Sequence, residues 1–295
     1  MKEQASLTAV TAARWRAAHL LLDGDPKVFR DDLALRFSGA DSEAAFRENL
    51  DATLAQIAAK AGADAAQKSF RVARSSMLAR SRYTEDALSH AMARGIRRYV
   101  ILGAGLDSFA WRRPDLATTV EVFEIDHPAS QRWKQQRLRE LGLDQPSNLS
   151  FLPIDFERQT LLEGLRDGGY PLGEPAFISW LGVTQYLTRE AVLGILKQVA
   201  TLGAGTEISF TFIVPQALWI GDDHGMFPIA TASAAASGEP WISFFEPGEL
   251  TSRLQELGFT HVAHFSPHDA NALYFAGRSD GLHAISGEHM MRAKV

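Results

Sequence analysis

Apolar residues recur every three or four positions through the first third of the chain and then gather into short unbroken runs. The helical spacing covers Leu7 to Leu22, Pro26 to Phe37, Ser42 to Ala61 and Gln67 to Ala93, where alanine is abundant and Asp23-Gly24-Asp25-Pro26 supplies a stop followed by a proline at a helix start. A helix cannot bury its apolar stripe alone, so residues 1–94 are expected to form a helical cap packed on the body that follows. From Arg98 the strand candidates are Arg98 to Leu102, Thr119 to Ile125, Leu149 to Ile154, Pro175 to Trp180 and Thr206 to Val214. Between them lie helical stretches at Asp107 to Arg112, Pro128 to Leu141, Glu157 to Arg166 and Arg189 to Leu202, with Thr188 and Gly203 as cap signals for the last. This alternation predicts right-handed crossovers and a parallel sheet. Residues 215–245 break the rhythm with prolines, glycines and the aromatics Trp219, Phe227 and Trp241, which look exposed, and are read as a covering insertion. Glu246 to Leu257 reads as a helix, and Phe259 to Phe265 with Asn271 to Ala276 as two strands. Their short connection makes that pair antiparallel. The expectation is therefore an α/β, Rossmann-like sheet of seven strands over 95–295, mostly parallel, with an antiparallel C-terminal pair.

In such a sheet ligands bind beyond the carboxyl ends of the strands. The first strand runs into Gly103-Ala104-Gly105, where a missing Cβ lets a ligand approach the backbone. The second ends at Asp126, 21 residues after Gly105, where an acid can accept hydrogen bonds from ribose hydroxyls. The third ends at Asp155-Phe156, an acid and a ring suited to an adenine amino group and face. A helix N-cap role fits either acid as well. Three such signals at successive strand ends favour a nucleoside site. A dinucleotide fingerprint needs a third glycine where Ser108 stands, and no tyrosine has a lysine four residues later, so S-adenosylmethionine fits better than a nicotinamide cofactor.

Composition narrows the rest. With 46% hydrophobic residues in 295 the chain can build a sizeable core, while a net charge of -5 and a pI near 6.0 argue against nucleic-acid and membrane partners. Cysteine is absent and the nine histidines show no His-Glu-x-x-His spacing, so no metal site is expected. Met1 to Ser6 lead into an Arg-containing amphipathic stretch unlike a secretory signal, and a cytoplasmic location is expected.

Val100 to Arg112 (VILGAGLDSFAWR), Phe123 to Arg132 (FEIDHPASQR), Pro153 to Phe156 (PIDF), Trp180 to Thr188 (WLGVTQYLT) and Tyr274 to Leu282 (YFAGRSDGL) together resemble the leucine carboxyl methyltransferase-like S-adenosylmethionine-dependent methyltransferases. The likeness is closest to their bacterial O-methyltransferase branch, much of it attached to secondary metabolism. The resemblance implies a class I methyltransferase fold and a cofactor site made of Arg80, Gly103, Ala104, Gly105, Asp126, Asp155, Phe156 and Leu181. Arg80 would pair with the methionine carboxylate, with Arg82 as substitute and Arg14 or Arg16 as a second clamp. Leu181 stands where members acting on a phosphatase C-terminus carry a glutamate, which counts against that substrate.

Methyl transfer asks mainly for positioning and exclusion of water. A carboxylate acceptor is already ionised at neutral pH, whereas a phenol, with a pKa of about 10, benefits from a base. His224 is a candidate base and Tyr186 a candidate orienter; Trp219, Phe227, Trp241 and Phe245 are candidates for an apolar acceptor pocket. The expected activity is O-methylation of a small molecule or peptide, by ester formation on a carboxylate first and on a hydroxyl second. A nicotinamide oxidoreductase and a non-catalytic nucleoside-binding protein are the competing readings.

Overall fold

The computed structural model describes residues 7–156 and 158–295, so that Met1 to Ser6 and Glu157 lie outside the described residues. Its strands are β1 (Arg98–Leu102), β2 (Glu121–Asp126), β3 (Leu149–Pro153), β4 (Phe177–Trp180), β5 (Glu207–Ile213), β6 (His261–Phe265) and β7 (Glu288–Lys294). They form one sheet in the order β3-β2-β1-β4-β5-β7-β6. The first five are parallel, and β7 runs antiparallel to both of its neighbours.

Both faces of the central strands are buried, which is why they read as continuous apolar runs and not as alternation. One face carries Val100, Leu102, Ile125, Ile178, Trp180, Phe210 and Phe212 against the helices α7 (Leu161–Asp167), α8 (Arg189–Val199) and α10 (Pro247–Glu256). The other places Tyr99, Ile101, Val122 and Phe177 against Ala87, Leu88 and Ala91, near the end of the N-terminal helical segment. That segment comprises α1 (Leu7–Leu22), α2 (Ala34–Phe37), α3 (Glu43–Ala61) and α4 (Ala63–Ala93), while α5 (Phe109–Arg112) and α6 (Pro128–Glu140) follow β1 and β2. Side-chain caps fix several starts: Ser42 accepts from the Ala45 N–H and Thr188 from the Ala191 N–H. Thr160 and Glu163 cap each other reciprocally, so α7 begins only at Leu161.

Two expectations are corrected. Pro26 to Phe37 is not one helix, because its N–H groups are taken by side chains: Val28 donates to His19 Nε2 at 3.0 Å and Leu33 to Asp31 Oδ1 at 3.1 Å. Asn271 to Ala276 is not a strand either. Ser266 and Asp269 form a capping box that starts α11 (Pro267–Ala270), and the chain continues through a wide helical turn over Asn271–Phe275. The strand antiparallel to β6 is instead β7, reached after residues 266–287 and inserted between β5 and β6.

The insertion holds 3-10 turns at Gln216–Leu218 and Gly221–Gly225, then α9 (Met226–Ala236). Trp219 is buried, not exposed as its surroundings suggested: it lies against the backbone of Gly287, and its indole donates to the Val214 carbonyl at 3.2 Å. Among the described residues no helix is long and apolar enough to cross a membrane.

Candidate functional site

Beyond the end of β1 the backbone turns at Gly103, whose φ of +67° is a region that L side chains rarely adopt. A Cβ there would also stand 2.5 Å from Val183 Cγ2, so the turn after β1 and the loop after β4 touch only because the side chain is missing. Asp126, at the end of β2, joins the same turn. Its Oδ2 accepts the Gly105 N–H at 2.6 Å and its Oδ1 the His127 N–H at 2.7 Å, and each oxygen keeps a further lone pair. Burial raises the Asp126 carboxyl against the pull of these two N–H groups. Asp155 follows β3, half-buried and 3.5 Å from Arg158, and the Phe156 ring is 41% exposed, apolar surface left open at the strand ends. Gly103, Ala104, Gly105, Asp126, Asp155 and Phe156 thus share the carboxyl ends of three adjacent strands, as the spacing predicted.

Arg80, on α4, reaches the end of β4. Its guanidinium lies where a Cβ on Gly182 would be, 2.6 Å from Nη2, and Gly182 has a φ of +69°. Its Nη1 donates to Glu288 Oε1 at 2.7 Å, leaving the other nitrogen facing the β4 loop. Arg82 does not substitute: it turns outward to Asp86 on its own helix at 2.9 Å. Of the two earlier arginines, Arg14 is exposed, whereas Arg16 is buried and structural. Arg16 donates to Asp31 Oδ2 at 2.7 Å and to the Leu106 carbonyl at 2.7 Å, which ties α1 to the glycine turn. Ala9 of α1 lies over Gly105.

Behind the turn is a buried ionic network that periodicity gave no sign of. Ser108, standing in place of a third glycine, donates to Asp31 Oδ2 at 2.8 Å and accepts from Arg112 Nε at 2.9 Å, and Arg112 also pairs with Glu85. Burial alone would raise Asp31, but Arg16 and Arg112 outweigh it and hold the carboxyl below its usual range. Under β2, fully buried Glu124 pairs with Lys134 of α6, which also donates to the Asp107 carbonyl at 2.8 Å. Burial pushes Glu124 up to about 7 in spite of Lys134. Gly182 was legible by the rule that found Gly103, a glycine just past a strand end; Asp31, Glu288 and Lys134 depend on tertiary contacts.

The 215–245 insertion is tied to the N-terminal helices and to the segment before β7. Thr8 of α1 donates to Glu239, Lys68 of α4 to Asp222 at 2.6 Å, and the Ser286 N–H to Asp223 at 2.9 Å. Trp219, Phe227 and Phe244 form one aromatic cluster, with ring centroids 5.3 and 5.6 Å apart along it, and Trp241 and Phe245 belong to the same apolar body. Leu181 and Tyr186, flanking the β4 turn, are half-buried, and His224 is exposed on the 3-10 turn before α9. Among the described residues no group of three or more metal-binding side chains occurs.

The leucine carboxyl methyltransferase family model matches residues 9–200. YktD of Bacillus subtilis (strain 168), a candidate S-adenosyl-L-methionine-dependent methyltransferase, is 32% identical over 99% of this chain and 98% of its own length. Two solved structures share the fold at 15% identity: a DUF574 family protein from Streptomyces avermitilis (TM-score 0.58, 96% of each chain) and a candidate methyltransferase from Thermobifida fusca (TM-score 0.57, 99% of this chain and 95% of that one).

Proposed function

Because the chain belongs to the leucine carboxyl methyltransferase family of S-adenosylmethionine-dependent methyltransferases, we propose that it esterifies a carboxylate of a small molecule or peptide. Within that reading the strand ends supply the donor seat. The sharp turn at Gly103 and Ala104 brings bare backbone to the ligand; Asp126, with a spare lone pair on each oxygen, takes the ribose hydroxyls; Asp155 and the open face of Phe156 take the adenine. Arg80, its fork already set by Glu288, takes the methionine carboxylate beside Gly182, with Leu181 lining the same turn. When bound, the donor supplies a sulfonium methyl group as electrophile.

The remaining task of the protein is to hold an oxygen in line and keep water out. We assign that task to the helical cap of residues 1–94 together with the 215–245 insertion, whose Trp219, Phe227 and Trp241 give it an apolar inner side. The observation that supports a carboxylate is that His224, the histidine of the insertion, is exposed. A base open to water is poorly suited to deprotonating a phenol in a closed site, and a carboxylate needs none. Tyr186 then orients the acceptor. We place the reaction in the cytoplasm, and the bacterial branch's link to secondary metabolism makes small organic acids the first panel to try.

The test is incubation with methyl-labelled donor and candidate acids, followed by mild base. Release of labelled methanol is expected. Label that survives base would mark an ether or N-methyl product and reject the carboxylate.

A further inference from the structure

We infer that the carboxamide of Gln185 and the indole N–H of Trp241 form the seat for the acceptor carboxylate, and that the acid they hold has an apolar or aromatic body. The inference rests on the methyl-ester reading above. Gln185 is only 5% exposed, yet its Oε1 has no hydrogen-bond partner in the protein, and neither has the buried Nε1 of Trp241. An unpaired buried polar group costs about 1–3 kcal/mol, so two of them on touching segments call for a ligand that pairs both.

The two side chains come from opposite sides of the cleft that methyl transfer requires. Gln185 follows Gly182 and Val183, the residues that meet Arg80 and Gly103, and so belongs to the donor end of β4. Trp241 belongs to the covering insertion. Hydrogen bonds bring the segments together next to both residues: the Ile242 N–H donates to the Gln185 carbonyl at 2.8 Å, and Ser243 Oγ to the Thr184 carbonyl at 2.9 Å. A molecule that engaged Gln185 and Trp241 together would therefore lie between the strand end and its cover.

The chemistry of the pair selects the ligand. An indole nitrogen can only donate. A carboxamide has a donor end and an acceptor end of nearly equal size, so a half-turn of its terminal torsion presents Nε2 with little change in packing. The pair can then offer two donors to one carboxylate. Both are neutral, so they orient the acid without cancelling its charge, and the second oxygen keeps the electron density it needs to attack a methyl group. A guanidinium in their place would bind more tightly and blunt that attack. Trp241 packs on the same apolar core as Phe227, Phe244, Val183 and Leu187, and α9 carries no charged residue from Met226 to Ala236. That lining suits a monocarboxylic acid whose remainder is hydrocarbon or aromatic.

The experiment starts with the wild-type chain, methyl-labelled S-adenosylmethionine and a panel of aryl and alkyl monocarboxylic acids, scored by methanol released in mild base. Trp241→Phe and the near-isosteric Gln185→Met are then compared with it for acceptor KM, for calorimetric affinity toward S-adenosylhomocysteine, and for Tm. We expect acceptor KM to rise about tenfold or more in each variant, with nucleoside affinity within about twofold of wild type. Unchanged KM in both variants would overturn the inference and hand the two polar groups to a buried water. A parallel loss of nucleoside affinity would overturn it in favour of a structural role. Base-stable product from the wild type would reject the methyl-ester reading and this seat with it, an outcome distinct from ester formation that the variants leave untouched.

Discussion

In the proposed donor site, Asp126 is the carboxylate on which the ribose assignment rests. Each oxygen is fixed by a backbone N–H, from Gly105 and from His127, so the group is oriented before any ligand arrives. Asp126→Asn keeps the shape, removes the charge and sets an NH2 against one of those N–H groups. Loss of charge-assisted hydrogen bonds to the ribose is expected to weaken S-adenosylmethionine binding by about 1.5–3 kcal/mol, an order of magnitude or more in Kd. Calorimetric titration of the folded variant with the donor measures this directly, and unchanged affinity would refute the ribose assignment. Arg16 acts on the same turn from its buried side. It spans Asp31 and the Leu106 carbonyl, so Arg16→Met strands a buried carboxylate and releases the turn. We expect a stability loss of about 3–5 kcal/mol in chemical denaturation, the usual cost of breaking a buried ion pair. A loss below about 1 kcal/mol would mean that Arg112, Ser108 and the Leu33 N–H satisfy Asp31 without Arg16.

At the scale of elements, β2 and α6 are joined by a charge pair inside an otherwise apolar layer. Lys134→Met leaves Glu124 buried with no cation, and the sign of the pH dependence follows from its raised carboxyl. Because the native state holds the proton more tightly than the unfolded chain, stability declines as pH rises from the ordinary glutamate range through about 7. Losing Lys134 pushes that carboxyl higher still. The deficit of the variant relative to wild type should therefore be larger at pH 8 than at pH 5, where Glu124 can take up a proton. Equal deficits in urea titrations at both pH values would contradict this. Elements of this kind also show what the sequence made legible. β1 to β5 were readable because burial leaves short runs rich in apolar and β-branched residues, and the strand-end rule then located Gly103, Asp126 and Asp155. β7, with the sequence EHMMRAK, was not, because charged and polar residues at four of its positions and Met290-Met291 side by side give neither a clean alternation nor an apolar run. Pro26 to Phe37 misled for a related reason: its spacing is helical, but His19 and Asp31 take N–H groups that a helix would use. Lys134 and Glu124 read as a surface charge and a strand-end acid until α6 is folded onto β2.

For the whole molecule, the proposed role of the 215–245 insertion requires that it open to admit the acceptor and close to exclude water, so its attachments set how readily it moves. Two ionic ones lie among the described residues. Lys68 holds Asp222, and His283 lies 3.7 Å from Asp223, whose second oxygen already accepts the Ser286 N–H. Hydrogen bonding to Asp223 raises the His283 imidazole, while Asp223 itself, raised by burial but lowered more by His283 and Ser286, ends below its usual range. For a histidine with a raised folded value, the stabilisation is fully present below about pH 6.5 and is lost as pH rises through the folded value. The His283 side chain is 41% exposed, so solvent screening keeps the effect small and local, a matter of how often the 3-10 turn at Gly221–Gly225 and α9 detach, not of global unfolding. Hydrogen exchange over residues 216–236, normalised to intrinsic rates, should therefore show more frequent opening at pH 8 than at pH 6, with β1 and β4 unaffected. His283→Gln, which cannot become charged, should flatten that difference while leaving the Lys68–Asp222 tether in place. If the wild type opens equally often at both pH values, His283 does not hold the cover, and the attachment rests on its other contacts, those of Lys68, Thr8 and the Ser286 backbone among them.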